Sequence, residues 1–253
     1  MKKISALLAV GLLIVFLPGC KKLCDYVQAH PDADLKDCPI TQIITTPCCD
    51  ESDTLDFTYN AWGDPVSITR RPLVKTGHPN YLFRYDAWHR LTDIILPYSN
   101  GTAEQWHKYF YASIYSNRIV RDSTYTFPTI TSGFPELAVF SSQTFYDYDP
   151  QGRIIRDSTL SSSSSTPLVN HYSYDAAGNR VGRSYDTKLN VHRTNKIWMF
   201  YDRDYSINNP FIATTYNSKS LPLIINLPSD ASGGYLDFLN ESTTVAKISY
   251  ACK

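Results

Sequence analysis

Two tryptophans in matching surroundings are the residues best suited to hold a ligand. Trp62 lies in Asn60-Ala61-Trp62-Gly63 and Trp88 in Asp86-Ala87-Trp88-His89. An indole face can stack on the C–H face of a sugar ring or dock into a partner protein, as interface aromatics do. The plainer reading is that both indoles fold back and cap the end of a sheet. The chemistry for catalysis is thin. The chain has no G-x-S-x-G elbow, phosphate loop or H-E-x-x-H pair. The six His residues are scattered and never stand at i, i+4, and His89 reads as an exposed turn residue. Asp147, Asp149 and Gly152 form D-x-D-x-x-G, but a calcium loop needs further oxygen donors and a distal bidentate Glu. No metal and no cofactor are expected. A glycosidase needs two carboxylates that meet only in space, so a hydrolase with dispersed carboxylates stays an alternative.

The elements that would position those indoles are repeats. FTYNAWGDPVSI (57–68), FRYDAWHRLTDI (83–94), FYDYDPQGRIIRDST (145–159) and YSYDAAGNRVGRS (172–184) share an aromatic, one residue, Tyr, Asp or Asn, a turn and an aliphatic run. Tyr59, Tyr85 and Tyr111 follow at intervals of 26 residues, and Tyr148 and Tyr174 are again 26 apart. RIVRDST at 118–124 nearly repeats RIIRDST at 153–159, and TTYNSKSLPLII (214–225) reads as a late, degenerate unit. Aromatics two apart face one side of a strand. Asn60, Asp86, Asp149 and Asp175 can each bond the backbone two residues on and start a turn. Gly63, Gly152 and Gly178 then stand where a positive φ is cheap for glycine. Each unit is therefore a β-hairpin that buries its aromatic face only by stacking on neighbours. Trp62 and Trp88 would share one edge, about 10 Å apart. Arg118 and Arg121, Arg153 and Arg156, and Arg180 and Arg183 recur three apart. They read as cross-strand partners of Asp122, Asp157 and Asp186, or more sharply as a polyanion-binding ladder.

YDAAGNRV (174–181) and YDPQGRII (148–155) resemble the YD repeat of RHS-type proteins, over about residues 55–225. Large RHS shells use dozens of such units to enclose cargo, and five or six cannot close one. The resemblance implies an all-β fold here, an antiparallel meander of stacked hairpins with little helix, and not that encapsulating role. The N-terminus carries a second resemblance. Lys2 and Lys3 precede an uncharged apolar run from Ile4 to Leu17, too short to cross a bilayer comfortably. The run ends Leu17-Pro18-Gly19-Cys20, which resembles a bacterial lipobox, with Pro18 a departure from the commonest pattern. That implies a signal peptide over 1–19, a lipidated Cys20, and an anchor in the membrane. By the same analogy, Lys21 after the Cys points to the outer membrane of the cell envelope.

The remaining organisation follows. Residues 20–39 form a polar, Cys-containing tether, 40–253 the repeat domain, and 125–143 an insertion rich in Thr, Ser and Pro. Ile40 to Thr46 reads as the opening strand and Ser161 to Thr166 as a hairpin tip. Cys24, Cys38, Cys48, Cys49 and Cys252 leave one thiol unpaired if the rest form disulfides. Pairing Cys48 or Cys49 with Cys252 would tie the ends of the domain together. Lys plus Arg and Asp plus Glu each number 24, so no basic field attracts nucleic acid. The sequence thus leads to a non-enzymatic envelope module that binds a glycan or an envelope protein. A purely structural or assembly lipoprotein is the other alternative.

Overall fold

The structure is a computed structural model that describes residues 30, 34–35, 37–47, 52–72, 77–227, 236, 239 and 243–252. The signal, Cys20, Cys24, Cys48 and Cys49 lie outside the described residues. The strands in chain order are β1 (Ile40–Pro47), β2 (Thr54–Tyr59), β3 (Pro65–Arg71), β4 (Tyr81–Tyr85) and β5 (Leu91–Pro97). Next come β6 (Ala103–Tyr111), β7 (Ile119–Thr126), β8 (Thr129–Thr131), β9 (Phe134–Glu136) and β10 (Val139–Tyr148). Last are β11 (Ile154–Ser161), β12 (Leu168–His171), β13 (Ile212–Tyr216), β14 (Pro222–Asn226) and β15 (Thr243–Tyr250). One short helix, α1 (Lys196–Tyr201), follows a 3₁₀ turn at Val191–Thr194. The fold is all-β, with the antiparallel meander and the scarcity of helix read from the repeats.

Thirteen strands form one sheet in the order β12-β11-β10-β7-β6-β5-β4-β3-β2-β1-β15-β14-β13. Strands β8 and β9 make a separate two-stranded outgrowth. It occupies only the middle of the 125–143 insertion, because β7 and β10 extend into both flanks and pair there. The hairpins share one irregularity. In β2–β3 the register passes from Thr58↔Ser67 to Tyr59↔Pro65, leaving Val66 as an extra residue. Thr92, Val120, Ile155 and Leu223 are the corresponding extras opposite Tyr85, Tyr111, Tyr148 and Tyr216. A bulge bends its strand and increases local twist, so repeating it in each unit curls the sheet.

The anchor tyrosines use that curl. Tyr59 donates its hydroxyl to the Ile40 carbonyl, Tyr85 to Pro65, Tyr111 to Leu91, Tyr148 to Ile119 and Tyr174 to Ile154, all between 2.7 and 3.2 Å. Tyr250 does the same to Pro222 at 2.7 Å. Every acceptor is the first residue of an earlier strand, so each hydroxyl staples one unit to the unit before it.

What the sheet curls around is the chain between β12 and β13. Those strands stand at opposite edges, and residues 172–211 travel from one to the other across the inner face. Trp198 meets Phe57 and Phe83 edge-on at 5.8 and 5.6 Å, and Phe200 meets Tyr109 and Tyr146 at 5.4 and 5.2 Å. Laid flat, thirteen strands would span roughly 60 Å, while six helical residues cover about 9 Å. A sheet whose β2, β4, β6 and β10 all touch one such helix must wrap it. After the crossing, β15 enters between β14 and β1. Cys252, just beyond β15, is bonded to Cys38, just before β1. The ends of the domain are tied, but through Cys38 rather than Cys48 or Cys49.

The arginine expectation also needs correcting. Asp122 bonds His107, Asp157 bonds Tyr172, Asn170 and Arg203, and Asp186 bonds Tyr216 and Asn209. Of the arginines, Arg121 lies over Phe110 at 3.9 Å, Arg153 over Tyr174 at 4.1 Å and Arg180 over Tyr172 at 4.3 Å, while Arg156 pairs across the strands with Asp147 and Arg183 with Asp204. Cross-strand register put aromatics within reach, and a guanidinium stacks on them readily.

Candidate functional site

All the tyrosine-anchored turns lie on one edge of the sheet, and their wiring is shared. Asn60 Oδ1 accepts from the N–H groups of Trp62 and Asp64 at 2.9 and 3.0 Å, and Asp86 Oδ1 from those of Trp88 and Arg90 at the same distances. Asp149 accepts from Arg153, Asp175 from Asn179, and Asn217 from Lys219 and Leu221. The next-to-last residue of each turn has a positive φ: Gly63 81°, His89 59°, Gly152 84°, Gly178 81° and Ser220 64°. At Gly178 a Cβ would also stand 2.6 Å from Ile207 Cδ1, so both backbone and space demand glycine there.

The YSYDAAGNRV unit closes its turn this way, yet it makes only the single bridge Tyr174↔Arg180. Arg180-Val181 stands where the Tyr148 unit places Ile154-Ile155, and Gly182 follows at once; no returning strand forms and the chain departs on its crossing.

Within this edge, the turns of the first units and the start of α1 enclose a recess of about 500 Å³. Its floor is apolar, from Leu91, Ile119, Ile197, Phe200 and Tyr205. Trp62 and Trp88 line it while remaining 61% and 63% exposed. The indoles therefore do not fold back to cap the sheet. Trp62 stacks on His89 at 4.0 Å, so His89 is half-buried against the neighbouring unit's indole and is not a free turn residue. Asn195 fixes the helix to the edge: its Nδ2 donates to the Gly63 carbonyl at 3.0 Å and its Oδ1 caps Ile197 at 2.9 Å.

The charges of the recess come in two kinds. Arg90 is fully engaged, 2.7 Å from Asp86 and donating from Nη1 to the carbonyls of Ser113, Ile114 and Ser116. Its guanidinium also lies over Tyr111 at 4.4 Å. Burial works against the ionised Asp86, yet the N–H groups of Arg90 and Trp88 and the Arg90 guanidinium hold its carboxyl below the ordinary value. Asp149 and Arg153 repeat the pair at 2.8 Å, and Asp147 pairs with Arg156 at 2.8 Å. The carboxylates of the D-x-D-x-x-G stretch are thus both bound by arginine.

The first turn breaks the pattern. Asn60 stands where Asp86 and Asp149 stand, and Asp64 where Arg90 and Arg153 stand. Asp64 is 2% exposed, and the contact to its carboxylate is Asn60 Nδ2 at 3.3 Å. Arg118 and Lys196, which also line the recess, are exposed. Among the described residues neither forms an ion pair.

Among the described residues, Asp64 is the one carboxylate that lines the recess. The Tyr111 and Tyr148 phenols are pushed well above their ordinary value by burial, and both hydroxyls are committed to backbone carbonyls. Of these site residues, Trp62 and Trp88 were legible in the sequence. Asp64 carried an unused signal, being the acid where equivalent units have Arg or Asn. Lys196 carried none, because the crossing segment has no period.

No family model matches this chain, and no curated protein does. Among solved structures it is similar to TcdB2-TccC3-TEV, at 12% identity and a TM-score of 0.25 over 76% of this chain and 11% of that one. It is likewise similar to TcdB2-TccC3-Cdc42, at 12% identity and a TM-score of 0.27 over 74% and 10%. The chain spans about a tenth of the length of those chains, and likeness at this level carries nothing about function.

Proposed function

We propose that this protein is a lipid-anchored, non-enzymatic binding module of the cell envelope, taking a glycan at the Trp62–Trp88 edge. The observation that carries the reading is the pair of exposed indoles rimming a recess of about 500 Å³ whose lining includes Leu91, Ile119, Ile197 and Phe200. An exposed indole leaves a large apolar face in water, and covering it with a ring is favourable by stacking and by area. A concave site of this size suits one or two sugar rings. A hydrolase would need a second carboxylate facing Asp64 across the recess, and among the described residues that line it Asp64 is the one acid. The envelope location rests on the lipobox-like Leu17-Pro18-Gly19-Cys20, whose Cys20 would carry the lipid.

Two measurements test this. A glycan array is probed with the full chain in detergent beside Trp62→Ala/Trp88→Ala. Binding that the variant loses, with its melting temperature kept, supports the reading, and silence from both proteins rejects a glycan ligand. Metabolic labelling with a radioactive fatty acid should mark the parent and not Cys20→Ala. Equal labelling of both would remove Cys20 as the anchor.

A further inference from the structure

Resting on the binding-module reading, we propose that the recess selects an acidic saccharide: a ring stacked at Trp62 and Trp88, hydroxyls donating to Asp64, and a carboxylate held by Arg118 and Lys196. Three features of the recess lead there. The first is the reversal of charge in the opening turn. In two other turns the acid is neutralised by the arginine four residues on, Asp86–Arg90 and Asp149–Arg153. In the first turn the acid is Asp64, and the group facing it is the Asn60 amide at 3.3 Å. A carboxylate this buried needs hydrogen-bond donors. It lines the recess, and sugar hydroxyls are donors that can be delivered there.

The second feature is the pair of exposed cations, Arg118 and Lys196, that both line the recess and lie outside any ion pair among the described residues. They come from different elements, the loop before β7 and the first residue of α1, so the shared position is made only by the fold. Charge focused in a recess with low-dielectric walls attracts the opposite sign more strongly than a flat surface does. A planar guanidinium is also the group that best grips a carboxylate.

The third feature removes the competing ligand. Aromatic walls with a buried acid would ordinarily suit an ammonium group. Here Arg90 already lies over Trp88 and Tyr111, at 5.3 and 4.4 Å, and Arg118 over Tyr148 at 5.8 Å. With Arg90 and Asp86 cancelling each other, an incoming cation would meet Arg118 and Lys196 against the acid Asp64, whereas an anion meets those two cations as partners. The ring and hydroxyls identify a saccharide, and the cations identify an acidic one.

The experiment is titration calorimetry on the full chain with oligosaccharides matched in linkage and length. Each pair is one of uronic acid and one of the neutral sugar, with a glucosamine oligomer as the cationic member. The parent should prefer the acidic member about tenfold or more at 50 mM salt, and the preference should shrink as salt rises. Arg118→Gln/Lys196→Gln should bring the acid-to-neutral ratio close to one. Asp64→Asn should weaken acidic and neutral members alike, by roughly tenfold, because an amide oxygen accepts less strongly than a carboxylate. Circular dichroism of each variant confirms that it is folded. Equal affinity of the parent for acidic and neutral members overturns the acid selectivity and leaves the glycan reading standing. Preference for glucosamine overturns the charge assignment. Binding to no member of any pair overturns the glycan reading, and this inference with it.

Discussion

The sheet and the segment that crosses it are built on opposite principles. In the sheet the units at Tyr59, Tyr85 and Tyr148 solve the same problem in the same way: a tyrosine staple, an Asn or Asp turn, a bulge. Beyond the repeat turn that opens it, the crossing segment (182–211) repeats nothing. Its interior holds His192, Arg193, Asp202 and Asp204, all buried. His192 bonds Asp202 at 2.6 Å and Asn190 at 2.8 Å, and Asp204 bonds Arg183 at 3.1 Å. The sheet's strength is divided among small, equivalent contacts, while the crossing segment concentrates it in a few irreplaceable ones. The lesson is that a repeat array this short holds its curl by wrapping a segment that is not a repeat.

The sharpest way to break that contrast is Trp198→Ala. Trp198 is 1% exposed and touches two strands of the sheet, so its loss should cost about 3–5 kcal/mol in urea unfolding. A cost below about 1 kcal/mol would mean that the sheet does not depend on its contents. Next is Cys252→Ser, which opens a link spanning 214 residues. It should cost about 2–5 kcal/mol, read as a lower midpoint that dithiothreitol reproduces in the parent.

The pH dependence should come from the crossing segment. Burial opposes charging of His192, but Asp202, with Asp204 behind it, outweighs that and raises its pKa above 6.5. Its contribution is therefore complete below pH 6.5 and is lost as pH rises through the folded value. Asp204 works the other way. Burial opposes its ionisation, but His192, Ser206 and Arg183 hold its pKa below 3.8. Its contribution is present above that value and is lost as pH falls through the folded one. The melting temperature should decline at both ends, and His192→Gln should flatten the alkaline limb. An unchanged alkaline limb would assign the decline to other groups.

Smaller effects belong to the sheet. Tyr111→Phe removes one staple, to the Leu91 carbonyl, and should cost about 1 kcal/mol. If removing one staple costs as much as Trp198→Ala, the repeats are not equivalent partners after all. Smallest is His89→Gly, which relieves a positive φ of 59° but removes the stack on Trp62. The two terms oppose each other, each about 1 kcal/mol, so stability should stay within about 1 kcal/mol of the parent.

What was legible follows the same division. Tyr59, Tyr85, Tyr111 and Tyr148 announced their hairpins by spacing, because a hairpin is local and its turn chemistry repeats. The unit at Tyr174 matches the repeat closely and yet makes no strand pair, because only the missing aliphatic run after Arg180 distinguishes it. The contents of the sheet were not legible. His192 and Asp202 meet only in space, and six helical residues are too few to show a period. At the site, the indoles were legible as a matched pair. Arg118 was visible only as a member of a pattern it turned out not to follow. The choice of Cys38 over Cys48 or Cys49 depends on β1 lying beside β15, which no spacing reveals.

That neighbourhood of β1 and β15 has a consequence for how the protein is made. Of the described strands, β15, the last in chain order, hydrogen-bonds β1, the first, from Ile40↔Tyr250 to Pro47↔Thr243. Until β15 arrives, β1 and β14 each present an unpaired flank, the kind of edge that recruits other chains. Filling that gap is the work of β15, and a product clipped before Thr243 is left with two adhesive edges rather than a smaller working domain. The same adjacency makes the protein a natural circular permutation substrate: joined at Cys38 and Cys252 and recut in the serine loop at 162–166, the chain would trace the same ring from a different starting point.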